Sequence, residues 1–160
     1  MSSITITAGP LTVDAFAPFG LVLEATDDGI AAGDIDAALD LGRGTPRFYL
    51  MRLRDKPPRF DRITRHRAVT QCLASVGGAP WLLAVAPPLD PDDPDARPDL
   101  ARLAAFEVPG DVAVLLHRGT WHAGPYFAEA ERSFFNLELA DTNLVDHHCV
   151  ELGGWYEIGG

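Results

Sequence analysis

Residues Val112-Ala-Val-Leu-Leu116 form an apolar run with no alternation, set between Pro109-Gly110-Asp111 and the polar pair His117-Arg118. Successive side chains of a strand point to opposite faces, so a strand of this kind must meet apolar partners on both sides. The wall of a closed barrel and the layers of a two-sheet sandwich supply such partners. Further short runs at 21–24, 47–53, 60–67, 70–76, 81–86, 111–117 and 133–140 are rich in Val, Leu, Phe and Tyr and are bounded by Gly, Pro or Asp. In 133–140, Phe135, Leu137 and Leu139 alternate with Asn136, Glu138 and Ala140, which predicts an apolar face turned to the core and Glu138 solvated on the other. Helical signals are few. Thr12 is placed to cap a short helix through Phe16, closed by Pro18 and Gly20, and 34–41 is a second short candidate. The expectation is an all-β fold with few short helices, a barrel or jelly roll, formed as a single domain over 1–160.

The biased segment 86–99, APPLDPDDPDARPD, combines prolines without backbone donors with turn-favouring aspartates and predicts a solvent-facing loop. A formal net charge of -10 argues against a surface built for nucleic acid or anionic lipid, although local arginines can still make a cleft attractive to a small anion. The chain opens MSSITITAGP, without a basic stretch followed by an apolar run, and its longest apolar stretch, 80–88, is too short to cross a bilayer. Two cysteines, Cys72 and Cys149, make no disulfide framework, so a reduced, cytoplasmic setting is expected. The sequence carries no Gly-rich phosphate loop, Gly-x-Ser-x-Gly elbow or Cys-x-x-Cys pair, which removes support for nucleotide, serine-hydrolase and zinc-finger chemistry.

The run from Gly110 to His122 holds the densest chemistry: a turn, an apolar strand, His117 and Arg118, a reversal at Gly119, then Trp121 and His122. Histidines at the end of an anchored strand suit acid–base or metal-ligand work, because imidazole titrates near neutrality. Earlier in the chain, Arg65 and Arg67 share one side of a strand and His66 takes the other, with Gln71 a few residues on. Arginine's planar fork matches a small carboxylate. Asp146-His147-His148-Cys149 reads as structural or surface sequence, since neighbouring strand residues face opposite ways, and Cys72 reads as an inert core thiol.

The stretch from Gly110 to His122 resembles the second motif of cupins, and His66 to Gln71 resembles a reduced first motif with Gln71 in the acidic place and Thr64 in that of the leading histidine. More specifically, Phe16-Ala-Pro-Phe19-Gly20, Arg65-His66 with Thr70-Gln71, and His117-Arg118-Gly119-Thr120-Trp121-His122 with Pro125 resemble the ureidoglycolate lyase family. The resemblance spans roughly Ile4 to Leu139. Two departures stand out: Ala123-Gly124 precedes Pro125 where the family continues with a second histidine and proline, and the text after Leu139 differs from the family's tail.

The resemblance implies cleavage of (S)-ureidoglycolate to glyoxylate and urea in allantoin (purine) degradation, by a carbon–nitrogen lyase of the amidine-lyase type. It also implies a homodimer and a divalent metal, nickel in particular, with His66 and His122 as its ligands here. Its catalytic residues would be His66, His117 and His122; Arg65, Arg118, Gln71 and Trp121 would bind the anionic substrate. Two other readings stay open on the residues: a divergent cupin enzyme for another small hydroxy acid, keto acid or sugar derivative, and a non-catalytic metabolite-binding barrel.

Overall fold

Eleven strands make two sheets in the computed structural model, which describes residues 2–34 and 36–160. The first is a closed barrel in the order β1 (Ser3–Pro10), β11 (His148–Gly159), β4 (Arg59–Arg65), β9 (Trp121–Tyr126), β6 (Gly78–Ala86), β7 (Ala104–Gly110), with β1 completing the circle through parallel pairing to both β11 and β7. The second has five antiparallel strands: β2 (Gly20–Leu23), β8 (Ala113–Leu116), β5 (Gln71–Ser75), β10 (Glu131–Leu139) and β3 (Pro46–Arg54). This is the cupin-type β-barrel architecture. Two four-residue helices, α1 (Val13–Phe16) and α2 (Thr142–Val145), and a 3-10 turn at Leu100–Arg102 complete it.

Two apolar clusters explain why the sheets hold together. One fills the barrel with Phe60, Ile63, Ala84, Ala86, Trp121, Tyr156 and Ile158. The other joins barrel wall to facing sheet through Trp81, Leu83, Val85, Leu73, Val114, Leu116 and Phe134. Strand β6 serves both, alternating Trp81, Leu83 and Val85 with Ala84 and Ala86. The non-alternating run behaves as expected: Val114, Leu115 and Leu116 are all buried within β8. Thr12 caps α1 by accepting a hydrogen bond from the Ala15 amide at 3.1 Å. Gly110 is needed where it stands, since a Cβ there would lie 2.0 Å from the carbonyl oxygen of Gly78.

Several expectations are corrected. The segment 34–41 is not helical at its described residues. Strands β1, β7, β9 and β11 were not anticipated; each carries Gly or Pro, yet ladder pairing on both sides of β9 and β7 outweighs those local turn signals. Along β10 the alternation is present but inverted. Phe134, Asn136 and Glu138 face inward, whereas Phe135 is exposed and Leu137 half-buried on the outside. Among the described residues, no helix is long and apolar enough to cross a membrane.

Candidate active site

The inverted face of β10 creates a polar surface inside the protein, and the barrel wall opposite supplies histidines. Thr64 of β4 and Val85 of β6 flank His122 in the ladder, so β9 holds His122 in the barrel wall between two neighbours. Trp121 and Ala123 enter the barrel cluster, and His122 takes the opposite face, towards the five-stranded sheet. His66 leaves the end of β4, where its carbonyl accepts a 2.7 Å hydrogen bond from the amide of Gly119 in the β8–β9 turn. Gly119 has φ +87°, the left-handed conformation that glycine adopts without strain. That reversal brings together residues far apart in sequence: the His66 and His122 ring centroids are 5.1 Å apart.

Both rings line a cavity of about 140 Å³ with Gln71, Asn136, Glu138, Lys56, Asn143 and His147. At about 30 Å³ of liquid volume per water, that is room for four or five waters or one small metabolite. A larger hollow of about 270 Å³ beside β2 has Glu24, Asp34 and Asp36 among its lining residues and no histidine, so the chemistry converges on the smaller one.

Hydrogen bonding sets the tautomers. Nδ1 of His66 lies 2.7 Å from the carbonyl oxygen of Asp146, and Nδ1 of His122 lies 3.3 Å from that of Thr120. A carbonyl only accepts, so each Nδ1 carries the proton and each Nε2 keeps a lone pair. Burial pushes the His66 pKa below its ordinary value, and burial together with the neighbouring His66 pushes His122 down to about 3. Two neutral imidazoles with free Nε2 atoms therefore face one cavity.

Glu138 overturns the expectation of a solvated outward carboxylate: it is 1% exposed, accepts from the Tyr49 hydroxyl at 3.1 Å and from the Gln71 amide at 3.4 Å. The Gln71 amide also donates to Asn136, whose own amide donates to Tyr49. Among the described residues, Oε1 of Gln71 is buried without a partner. The stretch Asp146-His147-His148, read as structural or surface sequence, is in part a site element. His147 stands on the cavity rim with its ring 5.9 Å from that of His66. The Asp146 carboxylate accepts from the amides of Arg67 and Ala68, at 2.7 and 2.8 Å, and so fixes the bend that carries His66. The signal for Glu138 was its alternation with apolar neighbours, which says which residues share a face but not which face is inside.

The remaining expected site residues lie elsewhere. His117 does not line the cavity; its backbone amide donates to Phe19. Arg65 is fully buried, donates to Nδ1 of His148 and to the carbonyls of Leu89, Asp90 and Asp93, and stacks 4.7 Å from the Trp121 ring. Arg67 donates to the carbonyls of Pro91 and Asp92. Arg118 donates to Arg67 and to the Asp92 carboxylate. The carboxylate-gripping role expected of Arg65 and Arg118 finds no support in the cavity, which neither side chain lines: Arg65 gives its donors to His148 and to carbonyls of the loop 87–93, and Arg118 ties Asp92 of that loop through Nη1. Trp121 is buried in the barrel cluster rather than on the cavity.

Comparison with known proteins gives a consistent result. The family model described as ureidoglycolate lyase matches residues 3–153. Similar curated proteins include a ureidoglycolate lyase of Pseudomonas syringae pv. tomato, 30% identical with 92% of this chain and 91% of the relative covered. A ureidoglycolate lyase of Agrobacterium fabrum is 31% identical over 71% of each chain. Ureidoglycolate lyase 1 of Rhizobium meliloti is 30% identical, with 89% of this chain and 88% of the relative covered.

Proposed function

From the premise that this chain belongs to the ureidoglycolate lyase family, we propose that it cleaves (S)-ureidoglycolate to glyoxylate and urea in the cavity between His66 and His122. The observation that carries this reading is the pair of neutral imidazoles, drawn from distant stretches of chain, whose rings stand 5.1 Å apart in one small cavity. The reaction makes the enzyme a carbon–nitrogen lyase of the amidine-lyase type, serving allantoin breakdown.

The substrate is a carbinol-urea, so no water is added. Nε2 of His122 takes the hydroxyl proton, and the O–H electron pair becomes the new carbonyl bond. The carbon–nitrogen bond breaks with its electrons on the urea nitrogen, and the His122 imidazolium returns the proton there. A desolvated imidazolium is a strong acid, which favours that return. Nε2 of His66 accepts a hydrogen bond from the ureido N–H and orients the leaving group. The amide hydrogens of Gln71 and Asn136 are given to Glu138, Asn136, Tyr49 and Met51, and what Gln71 offers a small polar ligand is the acceptor Oε1.

The donor set also suits a divalent ion such as the nickel implied by the family. In an ion-loaded enzyme His66 and His122 would hold it through Nε2, in place of the proton and hydrogen-bond roles given above, with the unpartnered Oε1 of Gln71 as an oxygen donor. Among the described residues no group of three His, Cys, Asp or Glu side chains is placed to hold a metal, so such a site would be open rather than closed. An ion there would polarise the substrate hydroxyl and share developing alkoxide charge.

The test is stoichiometric release of glyoxylate and urea from ureidoglycolate by purified protein before and after chelation. His122→Asn should lower kcat by about 10²- to 10⁴-fold. Unchanged turnover in that variant would end this reading. Turnover unaffected by chelation would take the ion out of it.

A homodimer fits the same picture. The outer face of the five-stranded sheet carries exposed Phe48, Leu50 and Phe135, the two rings stacked at 5.9 Å, an apolar surface suited to a second copy. The unpaired thiols Cys72 and Cys149 suit the reducing cytoplasm.

A further inference from the structure

Lys56 is the only lysine in a chain whose other 12 basic residues are all arginine, the sum being 13. Among the described residues it is also the one Lys or Arg side chain that lines the histidine cavity. We propose that Lys56 is the anion anchor of this site, holding the carboxylate of a small 2-hydroxy or 2-oxo acid; as a statement about ureidoglycolate, it rests on the reading above.

Three observations support the assignment. The arginines that sequence made the natural carboxylate partners, Arg65 and Arg118, are turned onto the loop 87–93 and donate to its carbonyls and to Asp92. Lys56 forms no ion pair among the described residues, and its half-buried side chain leaves its ammonium free for a ligand. Its backbone, by contrast, is tightly placed. The Asp55 amide donates to Ala130 at 3.0 Å, the Lys56 carbonyl accepts from Phe127 at 3.2 Å, and Asp55 itself sits at φ 52°. A non-glycine residue in that left-handed region is uncommon and marks a turn held by its surroundings. The turn ends β3 and directs Lys56 to the cavity.

Electrostatics asks for such a group. Glu138 lines the same cavity, buried, with only a hydroxyl and an amide as hydrogen-bond donors. A substrate carboxylate entering beside it needs a compensating cation in a space of weak screening. A compact ammonium on a flexible stem fits a cavity of about 140 Å³ better than a planar guanidinium would.

The test uses the full-length protein and two readouts. In the first, the amine of Lys56 is modified with an acylating reagent and followed by mass spectrometry, with and without oxalate as the anion probe and glycolamide as the neutral control. Oxalate should slow modification about tenfold and glycolamide should not. In the second, Lys56→Met, verified as folded by its melting curve, should raise KM for ureidoglycolate about 10- to 100-fold with a much smaller change in kcat, and Lys56→Arg should recover part of the loss. Equal modification rates with and without oxalate, or an unchanged KM in Lys56→Met, would overturn the assignment. Oxalate protection in a protein that does not cleave ureidoglycolate would uphold the anchor while removing the lyase reading.

Discussion

His122 loses its solvation on entering the cavity, and that loss governs how the protein responds to acid. Its folded pKa is pushed down to about 3, and that of His66 is also lowered. In the unfolded chain both titrate near 6.5, so below that pH the unfolded state binds more protons than the folded one. The stabilising contribution is complete above about pH 6.5 and is lost as pH falls towards the folded values. Between pH 6.5 and 5, stability should fall by up to about 1.4 kcal/mol per pH unit through His122, with His66 adding in the same direction. Urea unfolding across that range checks it, and His122→Asn should remove one histidine's share of the slope. For activity the sign differs: the imidazoles stay neutral below their usual pKa, so kcat/KM should show no acid limb at 6.5.

At the scale of elements, β10 and the loop 87–93 show two ways in which residue patterns acquire meaning from partners. Along β10 the period of two was legible, but its inward face is the polar one, because β10 borders a cavity with Tyr49 and Gln71 on the adjacent strands β3 and β5. The aspartate- and proline-rich loop was legible as a loop, but not as one held by three arginines. Arg65 satisfies carbonyls at Leu89, Asp90 and Asp93 from a fully buried position. Arg65→Met should leave those carbonyls and His148 short of a donor and cost about 1–3 kcal/mol, as stranding hydrogen-bond acceptors does. Hydrogen exchange should then speed up in 89–96 before it changes in β6 or β9. Equal protection in variant and wild type would mean that the loop holds itself.

At the scale of the whole molecule, two layers must meet for the site to exist. His122 belongs to the barrel, Gln71 and Glu138 to the five-stranded sheet, and the cluster containing Trp81, Leu83, Leu73 and Phe134 fastens one to the other. The same arrangement leaves Phe48, Leu50 and Phe135 exposed on the far side of that sheet. If a second copy covers this face, Leu50→Arg should convert a dimer to a monomer in sedimentation equilibrium while the melting curve of each subunit changes little. A wild-type monomer at micromolar concentration would remove the dimer.

Local chemistry alone determined that this chain is built of short strands, that one of them is buried on both faces, and that the chain resembles the ureidoglycolate lyases; it offered His66, His117, His122, Arg65, Arg118, Gln71 and Trp121 together as site candidates, of which His66, Gln71 and His122 line the cavity. These are properties of neighbours along the chain: apolar period, turn residues, and motif spacing. Tertiary structure decided which face of β10 is inside, that Arg65 and Arg118 serve a loop, that His117 stands apart, and that Lys56 and Glu138 join the cavity. The physical reason is that a strand's alternation is symmetric between its two faces, and a cation's role depends on which acceptors lie within reach. Both are settled only when segments distant in sequence pack against one another.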